Sequence, residues 1–137
     1  MNVLARRDAT QRTLDWFVAR PFDWRKASTC AHLVRRHLTH LGHSVPPMPS
    51  FRSALGAKRA LQAKGWETLA DMMDSVLPQI APARAIVGDV VELPGDGDVF
   101  GALCVVVGNG RVMGYFEGGE GLTILQPVAP PLKAWRA

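Results

Sequence analysis

A change in residue pattern near the middle of the chain constrains the fold more than any other feature. Before residue 80, apolar residues recur every three or four positions, as they do in amphipathic helices. After residue 85, β-branched runs alternate with glycine-rich turns, and the Gly-Asn-Gly at 108–110 is a strong hairpin signal. Helices followed by hairpin-connected strands predict an α+β domain, with N-terminal helices packed on a small antiparallel C-terminal sheet.

We expect the boundaries of this domain at residues 1–126, with a helical part at 1–80 and a sheet at 85–126. The first helix is predicted to begin at a cap on Asp8 or Thr10 and to end before Pro21. Three more helices are predicted at about residues 29–41, 50–63 and 66–77. Residues 127–137 are proline-rich and are predicted to form a C-terminal tail.

The composition bounds the class of protein. Of the 137 residues, 47% are hydrophobic and 20% are charged, as in ordinary globular domains. The first residues lack the apolar core of a signal peptide, and the longest apolar run, at 100–108, is too short for a membrane-spanning helix. Two cysteines cannot form a disulfide framework. We therefore expect a protein made in a reducing cytoplasm, with no membrane partner.

Charge is distributed unevenly along the chain. Residues 1–65 carry 12 Lys or Arg against 3 Asp, whereas residues 66–137 carry 4 basic against 9 acidic residues. A basic half can indicate nucleic-acid binding, but these arginines are scattered and lack interleaved aromatic residues. We expect a solvated surface, or one that meets an acidic protein neighbour, rather than a nucleic-acid partner.

No cofactor or metal site is predicted. His37 and His40 have the i, i+3 spacing that can present two imidazoles to a metal, but no third ligand has a matching position. Solvated helix histidines are the simpler interpretation. The GDGD stretch at 95–98 resembles part of a calcium loop but lacks its final Glu, so we interpret it as a turn.

The cysteine at position 30 is the candidate catalytic residue. It falls in the first turn of the second predicted helix, where unpaired backbone N–H groups favour a thiolate. Three interpretations stay open: a working nucleophile, the remnant of one, or an ordinary small buried residue. Cys104, inside an apolar strand, is predicted to be a core residue.

The motifs around Cys30 resemble those of the NlpC-type cell-wall endopeptidases, a branch of the papain-like fold. The chain shares a cysteine at a helix start, the Gly-Asp-Val-Val of 88–91 and the Gly-Asn-Gly turn. More narrowly, it resembles a family of uncharacterised phage and prophage proteins encoded among tail genes. The motifs that carry this resemblance are Arg20–Trp24, Cys30, Gly88–Val91 and Ala134–Arg136.

The resemblance implies a papain-like architecture whose catalytic His opens the second strand, at about Ala102 in this chain. A cysteine peptidase needs that imidazole to activate the thiolate and to protonate the leaving group. No His follows residue 43, and Thr29 stands where active relatives have Asp. On the helix of Cys30, His32 faces away by roughly 200°, and His37 lies roughly 10 Å further along. We expect hydrolase activity to be lost.

These inferences predict a structural or assembly protein of a phage tail, at the tail tip or a baseplate-like region. It would be assembled in the host cytoplasm, reside in the virion, and contact other tail-tip or hub proteins, with no small-molecule substrate. The alternative is an active cysteine endopeptidase or amidase that cleaves peptidoglycan peptides during DNA entry, with Cys30 as nucleophile. Trp135 and Arg136 are candidate interaction residues, which dock the tail either on its own domain or on a neighbouring subunit.

Overall fold

The computed structural model describes residues 1–45, 51–94, 102–116 and 121–137. In these residues it contains four α-helices and one six-stranded antiparallel sheet, so the predicted α+β class is confirmed. The helices are α1 (Val3–Phe17), α2 (Cys30–His40), α3 (Ala54–Ala63) and α4 (Leu69–Val76). The strands are β1 (Gln79–Ile80), β2 (Val90–Leu93), β3 (Ala102–Gly108), β4 (Arg111–Tyr115), β5 (Leu122–Leu125) and β6 (Lys133–Trp135). Among the described residues, no helix is long and apolar enough to cross a membrane.

The start of α1 differs from the prediction. Its N-cap is Asn2, whose side-chain oxygen accepts from the Ala5 N–H at 2.8 Å, so the predicted cap at Asp8 or Thr10 is wrong. Both residues lie within the helix, and the Thr10 hydroxyl donates to the Arg6 carbonyl oxygen one turn earlier. A polar residue that can cap a helix also bonds within one, and the sequence pattern does not separate the two cases.

The sheet has the strand order β1-β6-β2-β3-β4-β5. The last strand in sequence, β6, therefore lies between β1 and β2 and pairs with both, with Trp135 opposite Gln79 on one side and Val90 on the other. The sheet thus extends beyond the predicted range of 85–126 at both ends. Residues 133–135 were predicted to lie in a C-terminal tail, but they form strand β6 of the sheet.

The hairpin between β3 and β4 forms where it was predicted. Gly108, Asn109 and Gly110 have φ angles of 105°, 56° and 74°, which is the left-handed region that Gly and Asn tolerate best. The pairing register shifts between Val106 and Gly108, as in a β-bulge. These local preferences end β3 at residue 108 and return the chain along β4.

The helices cover one face of the sheet. Because side chains alternate along each strand, neighbouring residues of a strand lie on opposite faces. In β3, Leu103 and Val105 belong to the apolar clusters shared with the helices, whereas Cys104 and Val106 belong to a separate cluster on the other face. The helix-side core is completed by Val34 and Leu38 of α2 and their neighbours. The N-terminus of α2, and with it Cys30, is thereby held against the helix-covered face of the sheet.

Candidate functional site around Cys30

Cys30 is the first residue of α2, as predicted. The N-cap is Thr29, in an extended conformation, and its hydroxyl oxygen accepts from the His32 N–H at 3.5 Å. The preceding turn is closed by paired backbone hydrogen bonds of 3.1 Å between Asp23 and Ser28. The Cys30 side chain is half-buried and packs against the helix-side core. The local sequence thus places a thiol at a helix N-terminus, where the helix dipole favours a negative charge.

Cys30 lies in the wall of an apolar cavity of about 100 Å³, which we call the Cys30 pocket. Two aromatic residues of the Arg20–Trp24 motif, Phe22 and Trp24, stand at one side of it. Their rings meet edge to face with centroids 5.4 Å apart, and Trp24 meets Phe51 in the same way at 5.9 Å. The remaining wall comes mainly from α2, α3 and α4, with Val45 and Trp66 from the connecting segments. The motif before the cysteine therefore builds the pocket, which the sequence alone did not predict.

Two cations line this apolar pocket, Arg35 from α2 and Lys64 from the end of α3. The Arg35 Nε atom is buried and has no hydrogen-bond partner among the described residues. No Asp or Glu lines the pocket in the part of the chain that the structure describes. The pocket therefore combines an apolar interior with positive charge that no carboxylate of its own wall neutralises.

The strand position that should carry the catalytic His is apolar. The resemblance places that His at about Ala102, but Ala102 packs on the far face of the sheet with Cys104. Leu103 is the residue of β3 that shares the apolar cluster of Cys30, and it is fully buried. Neither side chain can take or give a proton. Burial, and a smaller contribution from Cys30, raise the pKa of the Cys104 thiol, in keeping with its predicted core role.

His37 and His40 are joined through Thr13 of α1. The Thr13 hydroxyl lies 2.9 Å from His37 Nδ1 and 2.8 Å from His40 Nδ1, and His37 Nε2 lies 2.8 Å from the Gly88 carbonyl oxygen. A carbonyl oxygen only accepts, so neutral His37 carries its proton on Nε2. Its Nδ1 then accepts from the Thr13 hydroxyl, which shares its one proton with the Ala9 carbonyl oxygen at 3.1 Å. The Thr13 oxygen can then accept from His40 Nδ1–H. This chain of hydrogen bonds occupies both nitrogens of His37.

Burial lowers the pKa of His37 from 6.5 to about 4, because an imidazolium there would lose its hydration. The bond to Gly88 opposes this shift, and the charges of His40, Arg6 and His43 add to it. His37 is fully buried, so it is not one of the solvated histidines expected from the sequence. It is a neutral hydrogen-bonding residue that fastens α2 to the bend before β2.

His32 is engaged nearer to the cysteine. Its Nδ1 lies 2.7 Å from the Thr29 hydroxyl oxygen, and its ring packs on Phe51 with centroids 5.0 Å apart. Burial, together with the charge of Arg35, lowers its pKa. His32 therefore supports the N-cap of α2 and packs on Phe51, which lines the Cys30 pocket.

Asp89, in the Gly-Asp-Val-Val motif, is fully buried at the centre of an ionic network. Its Oδ1 accepts from Arg6 Nη2 at 2.5 Å and from the Ala137 N–H at 3.1 Å. Its Oδ2 accepts from the Ile86 N–H at 2.9 Å and lies 3.3 Å from Arg136 Nε. This carboxylate connects α1, the bend before β2 and the residues after β6.

Sequence reasoning missed this network. Arg6 completes it by donating through Nη1 to the Ala137 carbonyl oxygen at 2.6 Å and through Nε to the Val87 carbonyl oxygen at 2.8 Å. The available signal was an Asp directly before an apolar strand, because a buried carboxylate requires a cation. Nothing in the sequence indicates that the cation comes from a residue 83 positions earlier.

Trp135 and Arg136 are placed on their own domain. Trp135 is fully buried, and its Nε1 donates to Asp74 Oδ1 at 2.8 Å. The Arg136 backbone N–H donates to the Pro78 carbonyl oxygen at 3.0 Å, and its Nη2 donates to the Arg84 carbonyl oxygen at 2.9 Å. The sequence left open whether the C-terminal tail docks on its own domain or on a neighbouring subunit. In the structure it docks on its own domain. Trp135 is therefore a core residue of its own domain, and contact of Trp135 or Arg136 with a neighbouring subunit stays a prediction.

The described residues contain no cluster of three His, Cys, Asp or Glu side chains that could hold a metal ion. The Nδ1 atoms of His37 and His40 both lie within hydrogen-bond distance of the Thr13 hydroxyl, so neither Nδ1 is directed at a shared metal position. The GDGD turn at 95–98 lies outside the described residues.

One of two comparisons with known proteins places the chain in a family. Comparison with curated protein sequences gives no match. Residues 3–137 match the family described as "Domain of unknown function (DUF6950)", which spans α1 to β6 and includes both Cys30 and the Asp89 network. With nearly its whole length matched, this chain belongs to the DUF6950 family.

Proposed function

We propose that this chain is a non-hydrolytic assembly protein that acts through protein–protein contacts in a phage tail. Its place would be the tail tip or a baseplate-like region of the virion, and its partners the neighbouring tail-tip or hub proteins. The scaffold would be a degenerate NlpC-type, papain-like domain. The phage setting and the NlpC-type architecture are supported by the sequence motifs at Arg20–Trp24, Cys30, Gly88–Val91 and Ala134–Arg136.

The observation that carries a binding role is an open groove of about 630 Å³, which we call the proline groove. Most of its wall consists of Pro82, residues 85–87, the β3–β4 hairpin and residues 127–131. Arg111 is the only charged side chain among the described residues that line it. Ile86 and Val128 line it and are exposed. Exposed apolar side chains gathered along one groove are typical of an interaction surface.

The proline groove is suited to a protein partner. Pro82, Pro127, Pro130 and Pro131 line it, and proline fixes the backbone angle φ before any partner binds. A wall that is already ordered loses little conformational entropy on association, which favours affinity. The apolar surface at 127–131 lies a few residues before Trp135 and Arg136, the candidate interaction residues in the sequence.

The hydrolase alternative is supported by one observation, the position of Cys30 at the N-terminus of α2 in a pocket wall. Against it stands the placement of the imidazoles. His37 and His40 belong to the Thr13 network, His32 bonds the Thr29 cap, and the helix-side residues of β3 are Leu103 and Val105. The strand that the resemblance assigns to the general base thus presents side chains without a titratable group.

Incorporation into particles tests the assembly role. In the phage or prophage that encodes the chain, Ile86→Asp and Val128→Asp place charges on the proline groove, and Val18→Asp changes an exposed valine outside it. We expect the groove variants to lower the amount of protein per purified particle by about tenfold or more, which corresponds to about 1.4 kcal/mol of lost binding. The Val18 variant should be incorporated normally. Intact, infectious particles formed in the absence of the protein would refute the proposal.

Thiol reactivity separates the hydrolase alternative from the assembly role. The rate of iodoacetamide labelling is measured across a pH series for the wild-type protein and for Cys30→Ser, which leaves the buried Cys104. A Cys30 thiolate that titrates well below the free-thiol value of about 8.5 would support an activated nucleophile and count against our proposal. Titration near that value would exclude the hydrolase.

A further inference from the structure

We infer that the Cys30 pocket is a binding site for a short aliphatic carboxylate, with its alkyl chain in the cavity and its carboxylate at Arg35. This inference is independent of the assembly role, because the Cys30 pocket and the proline groove share no lining residue in the described part of the chain. It also differs from what the sequence indicated, which was a protein without a small-molecule ligand.

The size and lining of the cavity define the apolar part of the ligand. A dry apolar cavity of roughly 150 Å³ holds a benzene molecule. The Cys30 pocket has about 100 Å³, so it suits a slimmer body such as a short alkyl chain. Its interior is formed by aliphatic and aromatic side chains, including Val34, Leu38, Leu61 and Met73. Water would find few hydrogen-bond partners there, so an alkyl chain would fill the cavity at little desolvation cost.

The charges of the pocket define the polar part of the ligand. Arg35 and Lys64 are the only charged residues among the described lining residues, and both are cations. The buried Nε of Arg35 has no hydrogen-bond partner among the described residues, although a buried donor without an acceptor is costly. A carboxylate satisfies a guanidinium through short, charge-assisted hydrogen bonds. An anionic ligand would therefore supply the acceptor that Arg35 Nε lacks among the described residues.

The neighbouring arginine provides a matched control. Arg36 follows Arg35 on α2 but is not a lining residue of the pocket; its guanidinium stacks over the Trp16 ring of α1, 3.7 Å from the centroid. Removing the charge of Arg36 changes the net charge of the protein by the same amount as removing that of Arg35. Only the Arg35 change removes the proposed partner of the carboxylate.

Binding of hexanoate, measured by isothermal titration calorimetry and by amide chemical shifts, tests the inference. We expect saturable binding to the wild-type protein, and a loss of about tenfold or more in affinity for Arg35→Met but not for Arg36→Met. Hexanol, which has the same chain length without the charge, should bind more weakly to the wild type and equally to both variants. Chemical-shift changes should map to residues around Cys30 and Arg35.

Filling the cavity provides a second readout. Ala57 and Ala60 both line the pocket, and Ala60 is only partly buried, so Ala60→Leu can occupy the cavity with little strain on the core. We expect this variant to unfold at the wild-type temperature and to lose hexanoate binding. The inference is overturned if hexanoate shows no saturable binding, if Arg35→Met and Arg36→Met bind it equally, or if Ala60→Leu still binds it.

Discussion

Lowering the pH should destabilise this protein through His37 in particular. The imidazole is fully buried, and its pKa is lowered to about 4 from 6.5 because burial disfavours the charged ring. In the unfolded chain His37 takes up a proton as the pH falls through 6.5, whereas in the folded chain it stays neutral down to about pH 4. The unfolded state therefore binds more protons in this interval, and stability rises with pH between 4 and 6.5.

The magnitude follows from the size of this pKa shift. Each pKa unit corresponds to about 1.4 kcal/mol, so the difference between 6.5 and about 4 corresponds to about 3 kcal/mol. The stability that neutral, buried His37 contributes is fully present above pH 6.5 and is lost progressively as the pH falls towards 4. Such an amount is a large share of the total stability of a typical domain, which is about 5–15 kcal/mol.

The assay compares the wild type with His37→Gln by urea denaturation at several pH values from 7 to 4. A glutamine amide can still donate to the Gly88 carbonyl and accept from Thr13, but it does not titrate. We expect the difference in free energy of unfolding between the two proteins to change by about 3 kcal/mol over this interval, in the direction that penalises the wild type at low pH.

Other titrating groups do not obscure the comparison. His32 and His40 also have lowered pKa values and contribute with the same sign, whereas Glu92 has a raised pKa and contributes with the opposite sign. They are present in both proteins, so they largely cancel in the difference. Parallel pH profiles for the wild type and His37→Gln would refute the reasoning.

Three further changes test the packing that holds the site. Arg6→Met leaves Asp89 buried without its main counter-charge and should lower the free energy of unfolding, measured by urea denaturation, by about 3–5 kcal/mol. A loss below about 1 kcal/mol would contradict the structural role of the network. Gly114→Ala brings a Cβ within 2.8 Å of Cys104 Sγ and should lower the melting temperature. Adding Cys104→Ala should restore most of the lost melting temperature, and the absence of this rescue would show that the contact is not the cause. Thr68→Ala removes a capping box at α4 and should cost about 1 kcal/mol by the same measurement, and an unchanged midpoint would speak against that cap.

The parts of the fold that local chemistry decides were predictable. The helix starting at Cys30 follows from its cap at Thr29, and the β3–β4 hairpin follows from Gly-Asn-Gly, because each depends on residues that are neighbours in sequence. The α+β class followed from the same periodicities. In each case the relevant interactions span only a few residues.

The candidate site was less predictable because its partners are distant in sequence. His37 was expected at the surface, but its environment depends on the Gly88 carbonyl, 51 residues away. Asp89 depends on Arg6, and the Cys30 pocket depends on aromatic residues and helices from three parts of the chain. A sequence pattern shows that a residue is apolar or polar, but it does not show which group meets it after folding.

The position of β6 has a consequence for how the chain is made. In the part of the chain that the structure describes, β1 pairs only with β6, and β6 separates β1 from β2. These two strands therefore cannot be joined until residues 133–135 have left the ribosome. Until then β2 presents an unpaired edge next to a gap one strand wide, and such edges recruit strands from other chains. Nascent or truncated chains that lack β6 should therefore aggregate or exchange strands. The six-stranded sheet should be complete only after residue 135 has left the ribosome.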